Sequence, residues 1–328
     1  MLAEQTPLRY LCSMSEPLKK SQFAPIPTDL RSAAMEMLWA HVDGDSRKRL
    51  IESFHNEAAK FGEPYWDGLI GLFDSQQLTG VVWLQVHAGS AASLHGPVLL
   101  VYEGATAAQF VRAALESKAA ESVSIVQALL QQSQELQSKA LLQAGFSHVT
   151  DLNYLFRNIE PPVLGHPVPR LRFEPYSQEN QGRLESIIER TYVGSLDCPQ
   201  VDGVRSIPDV LAGYRATGVF HPHFWQLISL AEGKGQAPAE VGCLLLADQP
   251  TTEQVELVYM GVVPEQRGKG LGQEIVARAI QLAANAGRSR IVLAVDTANR
   301  PGLDLYESAG FHVFDERCLY LHVFSRQS

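Results

Sequence analysis

Apolar positions in the second half of the chain show the period of a strand in some segments and the period of a helix in others. Between 270 and 286, Ile275, Ala279, Leu282 and Ala283 fall at i, i+4, i+7 and i+8, which predicts a helix with one buried face. The pattern predicts the order βααβββαβαββ, with strands over 171–176, 224–231, 239–247, 254–263 and 290–295, helices over 178–191, 206–217, 270–286 and 299–309, and a terminal hairpin over 311–324.

The first half repeats much of this order. Helices are predicted over 29–41, 46–60, 106–120 and 136–143, and strands over 69–73, 80–87 and 98–102. The tripeptide Ala144-Gly145-Phe146 recurs as Ala309-Gly310-Phe311, 165 residues later. The same offset aligns an apolar segment at 126–130 with the predicted strand at 291–295. A shared order and a shared offset indicate two copies of one fold.

A proline-rich segment separates the two copies. Residues 161–169 contain four prolines and one glycine, which exclude both a helix and a central strand. We therefore expect a first domain at 1–160, a linker at 161–169 and a second domain at 170–328. The predicted fold class is α/β, with a mixed, largely antiparallel sheet flanked by helices in each domain.

Composition narrows the class of protein. The net charge of −9, with no basic run beyond Arg47-Lys48-Arg49, argues against a nucleic-acid partner. Cys12, Cys198, Cys243 and Cys318 are far apart in the sequence, so neither a disulfide framework nor a metal site is expected. The chain shows no leader-like start and no apolar run of ~18 residues, so we expect a cytoplasmic protein without a membrane partner.

A glycine-rich turn between a predicted strand and a predicted helix carries the strongest chemical signal. It reads Arg267-Gly268-Lys269-Gly270-Leu271-Gly272. The N–H groups of a first helical turn have no partner within the helix and lie at its positive end, so they can bind a pyrophosphate. The glycines leave room for phosphate oxygens, and Arg267 and Lys269 add positive charge. A P-loop would need Ser or Thr after the lysine, and a dinucleotide fingerprint would follow the first strand of a βαβ unit, so neither pattern fits.

A second motif follows the next predicted strand. Asn299 is placed to cap a helix that has Pro301 in its first turn. Tyr306 lies on the same helix, where its ring can pack in the core or its hydroxyl can serve a site. The sequence therefore predicts a capped helix with a tyrosine whose role depends on its surroundings.

Both motifs resemble signatures of the GNAT superfamily of N-acyltransferases. In that family a strand ending V-x-P precedes Q/R-x-x-G-x-G/A at a helix start, and Val262-Val263-Pro264 with residues 267–272 matches this pattern. The family's N-x-x-A-x-x-L-Y-x-x-x-G-F signature is matched from Asn299 to Phe311, except that Gly302 replaces the alanine. The likeness covers 169–328, and the tandem arrangement resembles that of mycothiol synthase.

The resemblance implies transfer of an acetyl group from acetyl-CoA to an amine of a small molecule or protein. It implies that Tyr306 is the acid that protonates the leaving thiolate. For the base we select Glu256, expected on one strand face with Val258 and Met260 and opposite Leu257 and Tyr259, while His221 and His223 remain alternatives. The residues implied to bind the cofactor are Val262, Val263, Arg267, Gly268, Lys269, Gly270, Leu271, Gly272 and Asn299.

The first copy has lost the corresponding polar site. The offset of 165 residues places Glu103 and a single glycine, Gly104, in its loop, and Leu141 at the position of Tyr306. We therefore expect residues 1–160 to pack against the second domain without doing chemistry. We expect the first two helices of the second domain and their loop, which includes 194–205, to select the acceptor. The alternative function is a non-catalytic, acyl-CoA-binding regulatory module.

Overall fold

The computed structural model describes residues 22–159, 170–230 and 239–324, and the predicted linker at 161–169 lies outside these ranges. The elements of the first half are β1 (Gln22–Pro25), α1 (Arg31–Leu38), α2 (Gly44–Phe61), β2 (Leu69–Asp74), β3 (Gln77–His87), β4 (Ala91–Leu99), α3 (Gly104–Leu115), β5 (Ile125–Leu130), α4 (Glu135–Gln143) and β6 (Ser147–Asn158). Those of the second half are β7 (Leu171–Pro175), α5 (Gln181–Tyr192), α6 (Ile207–Ala216), β8 (Trp225–Leu230), β9 (Glu240–Gln249), β10 (Gln254–Val262), α7 (Leu271–Asn285), β11 (Arg290–Asp296), α8 (Arg300–Ser308) and β12 (His312–Val323).

The strands form one 12-stranded sheet in the order β1-β2-β3-β4-β5-β12-β6-β11-β10-β9-β8-β7. The order is the same from either edge of the sheet when six is added to the strand number: β1 and β7 are the two edge strands, and β6 and β12 are the two central strands. The sheet therefore has an approximate two-fold axis between β12 and β6. Two neighbouring pairs are parallel, β4 with β5 and β10 with β11, and the other ladders are antiparallel. The predicted mixed, largely antiparallel sheet is confirmed.

The last strand of each half completes the sheet of the other half. β6 lies between β12 and β11, so that Leu155 pairs with both Leu293 and Val313. β12 lies between β5 and β6, with Leu319 opposite Leu129. The predicted terminal hairpin at 311–324 is therefore wrong, because this segment is a single strand whose partners both come from the first half.

The 165-residue offset between the copies holds in three dimensions. Adding 165 to the bounds of α4 and β6 gives the bounds of α8 and β12. The same shift places β5 on β11, which is longer by one residue at its end. The repeat found in the sequence is therefore a structural repeat.

The helices cover the sheet with the faces that their periodicity predicts. On α7, Ile275, Ala279, Leu282 and Ala283 are all buried, with at most 6% of each residue exposed. α7 packs on β9, β10 and β11, and α5 packs on β8, β9 and β10. β9 is buried along almost its whole length because helices cover both of its faces. No helix within the described ranges is long and apolar enough to cross a bilayer.

One strand of the first half lies elsewhere than its pattern predicts. β4 occupies Ala91–Leu99 instead of 98–102. The pair Gly96-Pro97 is typical of a strand end, but β4 continues through it. The ladder to β3 pairs Val98 with Val81 on one side of this dipeptide and His95 with Trp83 on the other. A bulge at this point accommodates the proline, which has no N–H group to give to the ladder.

Candidate active site

Strands β10 and β11 run parallel at first and then separate. Their ladder extends only from Gln254 opposite Arg290 to Glu256 opposite Val292. At the same point the register of β10 against β9 shifts around Val258, which marks a bulge. Within the described residues no strand fills the gap, so backbone groups on the facing edges are available to another molecule.

The separation opens a cleft of about 730 Å³ between the two strands. Its walls are β10 from Leu257 to Val262, Ala294 and Val295 of β11, the start of α7, and α8. Small-molecule sites usually occupy about 300–1,000 Å³. We call this cavity the splay cleft.

The splay cleft reaches the N-terminus of α7. Gly268 and Gly270 have φ angles of 73° and 76°, a left-handed conformation that strains residues with a side chain. No side chain caps the helix, and Leu271 and Gly272 line the cleft. The N–H groups of the first turn are therefore donors at one wall of the cleft, of the kind that can bind an anion.

The two basic residues of this loop bind the protein's own oxygens. Arg267 donates from Nη2 to the Thr191 carbonyl at 2.8 Å, from Nη1 to the Gly194 carbonyl at 2.8 Å and from Nε to the Val262 carbonyl at 3.0 Å. Lys269 donates to the Glu265 carbonyl and to the Gln266 side chain, both at 2.9 Å. Arg267 thus fixes the loop geometry while its charge remains at the cleft wall.

Two of the residues implied to bind the cofactor serve the scaffold. Val263 is fully buried, and its N–H donates to the Val241 carbonyl at 2.9 Å. A Cβ at Gly272 would lie 2.9 Å from a methyl group of Leu305, so glycine here lets α7 approach α8. Val263 and Lys269 do not line the splay cleft, whereas the other seven residues of that set do.

Tyr306 lies on the face of α8 that points into the cleft. Burial, and to a lesser extent the charge of Asp197, raises the pKa of its hydroxyl, which makes no hydrogen bond to any described residue. The predicted cap is present, since the Asn299 side chain accepts from the Gly302 N–H at 3.1 Å. A Cβ at Gly302 would lie 2.7 Å from the Asn299 amide, which explains glycine at this position.

Glu256 lies where the strands part, outside the lining of the splay cleft. Its Oε2 accepts from the Gln249 amide at 3.2 Å, and burial raises the pKa of its carboxyl. The predicted alternation beyond it is wrong, because the bulge at Val258 turns Tyr259 to the α5 side, where it bonds to Thr191. Glu256 faces the same side, since the Gln249 amide also donates to the Thr217 carbonyl after α6.

A second carboxylate, Asp197, is positioned only by the tertiary structure. It lines the splay cleft and accepts from the Asp296 N–H at 2.8 Å. Burial first, and then the neighbouring charge of Asp296, raises the pKa of its carboxyl. In the sequence it is one polar residue in a long loop, so no motif distinguishes it.

The alternative histidine bases lie away from the cleft. His221 contacts the Asp248 carboxylate at 3.3 Å, and that carboxylate also accepts two hydrogen bonds from Arg288. His223 stacks edge-on against Phe224. Neither histidine lines the splay cleft.

Three separated residues of the sequence meet on β6 and β12. The ligand atoms of His148, Asp151 and Cys318 lie within 4.8 Å of one another. His148 forms an ion-pair contact of 2.9 Å with Asp151, and burial raises the pKa of the Cys318 thiol to about 11. The spacing of cysteines along the chain did not predict this cluster.

The first half has no hydroxyl at the position equivalent to Tyr306. Leu141, which stands there, is fully buried in a core with Phe110 and Phe146. The Tyr102 hydroxyl donates to the Leu136 carbonyl at 2.5 Å and so links the loop before α3 to α4. The first half thus keeps a packed core but carries an apolar side chain where the second half carries a tyrosine.

Comparison with known proteins agrees with this geometry. The acetyltransferase (GNAT) family matches residues 205–311. A thialysine N-epsilon-acetyltransferase of Bos taurus is 32% identical over 101 residues, 30% of this chain and 59% of the relative. A mycothiol acetyltransferase of Thermobifida fusca is 34% identical over 65 residues, 20% of each chain. The chain thus covers less than two thirds of either relative.

The likeness in fold extends further than the likeness in sequence. The crystal structure of a GCN5-related N-acetyltransferase from Sphaerobacter thermophilus superimposes with a TM-score of 0.62 and 16% identity. The superposition covers 92% of this chain and 95% of that one, so it includes both halves. Residues 205–311 thus match the acetyltransferase (GNAT) family, and the fold of the whole chain is similar to that of a GCN5-related N-acetyltransferase.

Proposed function

We propose that this protein transfers an acetyl group from acetyl-CoA to a primary amine. One observation carries the proposal: an uncapped helix N-terminus and the unpaired hydroxyl of Tyr306 share a single cleft between two separating strands. The relatives with matching segments bear the names of N-acetyltransferases or acetyltransferases, which supports the same reaction class.

The donor fits the splay cleft by its chemistry. The pyrophosphate of acetyl-CoA would bind the first-turn N–H groups of α7, next to Gly268 and Gly270. The amide-bearing pantetheine arm would lie along β10 from Leu257 to Val262, where the edge facing β11 is unpaired. This arrangement directs the thioester toward the point where the strands part.

The reaction needs one proton removed and one supplied. The amine nitrogen attacks the thioester carbonyl, the C–S bond breaks, and the leaving thiolate takes a proton from the Tyr306 hydroxyl. Burial raises the pKa of this hydroxyl, which keeps it protonated as an acid requires. Solvent then reprotonates the tyrosinate, takes the proton held by the base and accepts the second proton that the nitrogen loses as the amide forms, so the protein returns to its starting state.

We assign the removal of the amine proton to Glu256. A free amine is mostly protonated at neutral pH, so it needs a base before attack. Glu256 lies at the apex of the splay with one carboxylate oxygen without a hydrogen-bond partner among the described residues, and burial raises the pKa of its carboxyl toward neutrality. Asp197 is the second carboxylate near the cleft, and separate substitutions distinguish the two.

We further propose that residues 170–328 are the catalytic domain and 1–160 a degenerate copy. Support comes from Leu141, a buried apolar side chain with no proton to give at the acid position. Glu103 precedes α3, where it would repel a pyrophosphate. Calorimetry should therefore find one CoA bound per chain, and two sites of equal affinity would contradict this assignment.

A direct assay tests the function. Purified protein is incubated with acetyl-CoA and a panel of primary amines, and both thiol release and the acetylated amine are measured. Acetylation of an amine that requires the protein supports the proposal. CoA binding without transfer to any amine would instead favour the alternative, a non-catalytic acyl-CoA-binding module.

A further inference from the structure

On the side of the sheet that carries α5 and α6, two equivalent strips of side chains lie at its centre, one on β12 and one on β6. Only the strip on β12 is covered. In one strip, Leu319 and Leu321 of β12 are buried beneath the loop between these helices. That loop, residues 193–206, crosses into the first half and places Cys198, Val201 and Val204 on the strip. Its end is also held there, since Arg205 donates to the Gly89 carbonyl at 3.2 Å.

The symmetry-related strip remains open. The offset of 165 residues relates Leu319 to Tyr154 and Leu321 to Phe156, both on β6 and only half-buried. Ala294, opposite Tyr154 on β11, is exposed although it lies in the middle of the sheet. The loop that would cover this strip, residues 39–43, is short, and Trp39 packs on its own half.

The open strip has an aromatic floor with a carboxylate at its edge. The Phe314 ring lies edge-on to both Tyr154 and Phe156, with centroids 6.3 and 5.9 Å apart. Glu256, Val292 and Phe156 form one cross-strand row, which brings the carboxylate beside the aromatic floor. Burial and the nearby charge of Glu256 raise the pKa of the Tyr154 hydroxyl, which has no hydrogen-bond partner among the described residues.

This strip also adjoins the splay cleft. Ala294 pairs with Tyr154 and at the same time lines the cleft. Glu256 lies at the apex where β10 and β11 part, directly before the first cleft residue of β10, Leu257. A molecule on the strip would therefore approach a bound thioester from the side opposite α7.

We infer that the strip of Tyr154, Phe156 and Phe314 binds the acceptor, a primary amine attached to a flat aromatic body. This inference rests on the proposed function and adds to it a substrate class and a role for the first half. The rings offer stacking and edge contacts to an aromatic body, and Glu256 attracts the ammonium group. Asp315 is already paired with Arg317 at 2.6 Å, whereas Glu256 accepts only from the Gln249 amide and has no ion-pair partner among the described residues.

The position of Arg290 limits the length of the acceptor. Its guanidinium lies 4.8 Å from the Phe156 ring centroid, at the end of the strip away from the cleft. A cation there disfavours a second ammonium group on the acceptor. Monoamines with one ring therefore fit the strip better than polyamines.

A matched pair of amines tests the aromatic floor. With acetyl-CoA saturating, kcat/KM is compared for 2-phenylethylamine and its saturated analogue, 2-cyclohexylethylamine. We expect a preference of about three- to tenfold for the aromatic amine, the size of one aromatic contact. Phe156→Leu should remove that preference and leave the KM for acetyl-CoA unchanged. An unaltered preference in this variant would overturn the inference.

A second pair of variants tests the hydroxyl. Tyr154→Phe should raise the KM for 2-phenylethylamine about tenfold, the effect of one hydrogen bond to a charged group. Tyr320→Phe is the control. The Tyr320 hydroxyl on β12 is hydrogen-bonded to Ser138 at 2.7 Å in the core on the other side of the sheet, so its loss should leave the KM for 2-phenylethylamine unchanged. Equal effects of the two substitutions would contradict a role for Tyr154 in acceptor binding.

Failure of this inference is distinguishable from failure of the proposed function. If the protein acetylates no amine, the proposed function fails, and calorimetric binding of 2-phenylethylamine to the CoA-bound protein still tests the strip. Binding that Phe156→Leu abolishes supports the strip, and binding that the variant retains overturns it. If the protein acetylates amines but both variants behave like the original chain, only the strip is wrong. CoA affinity measured on each variant shows that it is folded.

Discussion

The Arg267 guanidinium donates a 2.8 Å hydrogen bond to the Thr191 carbonyl in the last turn of α5. The same side chain binds the Gly194 and Val262 carbonyls, so it joins the end of β10, the end of α5 and the loop that follows α5. A positive charge at a helix C-terminus is also favourable to the helix dipole. One arginine therefore ties together three segments that line the splay cleft.

Arg267→Lys should lower the free energy of unfolding by about 1–2 kcal/mol, because an ammonium group cannot reach three carbonyls in a fork. Denaturant titration measures this change. Arg190→Lys is the matched control, since Arg190 forms one exposed ion pair with Glu265 at 2.6 Å and should cost less than about 0.5 kcal/mol. Equal losses in both variants would show that Arg267 does not fix the loop.

Gly268→Asp should weaken CoA binding about tenfold or more relative to Gly268→Asn. Both side chains tolerate the left-handed φ of 73°, and open space surrounds the position, so the two variants differ mainly in one negative charge. Calorimetry at low and high salt measures the affinities, and screening should reduce the difference at high salt. Equal affinities of the two variants for CoA would show that its phosphates do not bind at this loop.

Tyr306→Phe should reduce kcat by about 10²–10⁴-fold with little change in CoA affinity, because the ring stays and only the proton donor is lost. Steady-state kinetics and calorimetry on the same preparation separate the two effects. Turnover equal to that of the original chain, with chemistry shown to limit the rate, would exclude the acid role.

Glu256→Gln should remove the acidic limb of the pH dependence of kcat/KM. Burial raises the pKa of this carboxyl above the ordinary value of 4.5, so as pH falls through that raised pKa the base becomes protonated and the rate declines. The acceptor amine titrates identically in both proteins, so a change in the limb reports on the protein. If Asp197→Asn removes the limb and Glu256→Gln does not, the base is Asp197.

Each half expressed alone should fail to form a stable domain. Without the second half, β6 loses both of its neighbours and β5 loses one, which exposes long strand edges that tend to aggregate. Co-expression of 1–164 with 165–328 should restore a soluble pair, because the exchanged strands can still find their partners. Independent, monomeric folding of either half, judged by size and thermal unfolding, would contradict this expectation.

The sequence alone determined the local features of this protein. The bounds of α7 and α8, the cap at Asn299 and the glycine-rich turn follow from interactions between residues a few positions apart. The duplication was also readable, because a constant offset is a property of the sequence itself. The second half was therefore predicted well except at its final strand and in the alternation of β10 beyond Glu256.

Only the tertiary structure decided how distant segments meet. The exchange of β6 and β12, the bulge at Val258 and the entry of Asp197 into the cleft depend on pairings between residues far apart in the chain. Apolar alternation shows that a strand has a buried face, but it does not identify the neighbouring strand. Which strands become neighbours depends on how much apolar surface the whole folded chain buries. For this reason the glycine-rich turn was visible in the sequence, whereas the strip of Tyr154 and Phe156 is formed only by the pairing of β6 with strands of the second half.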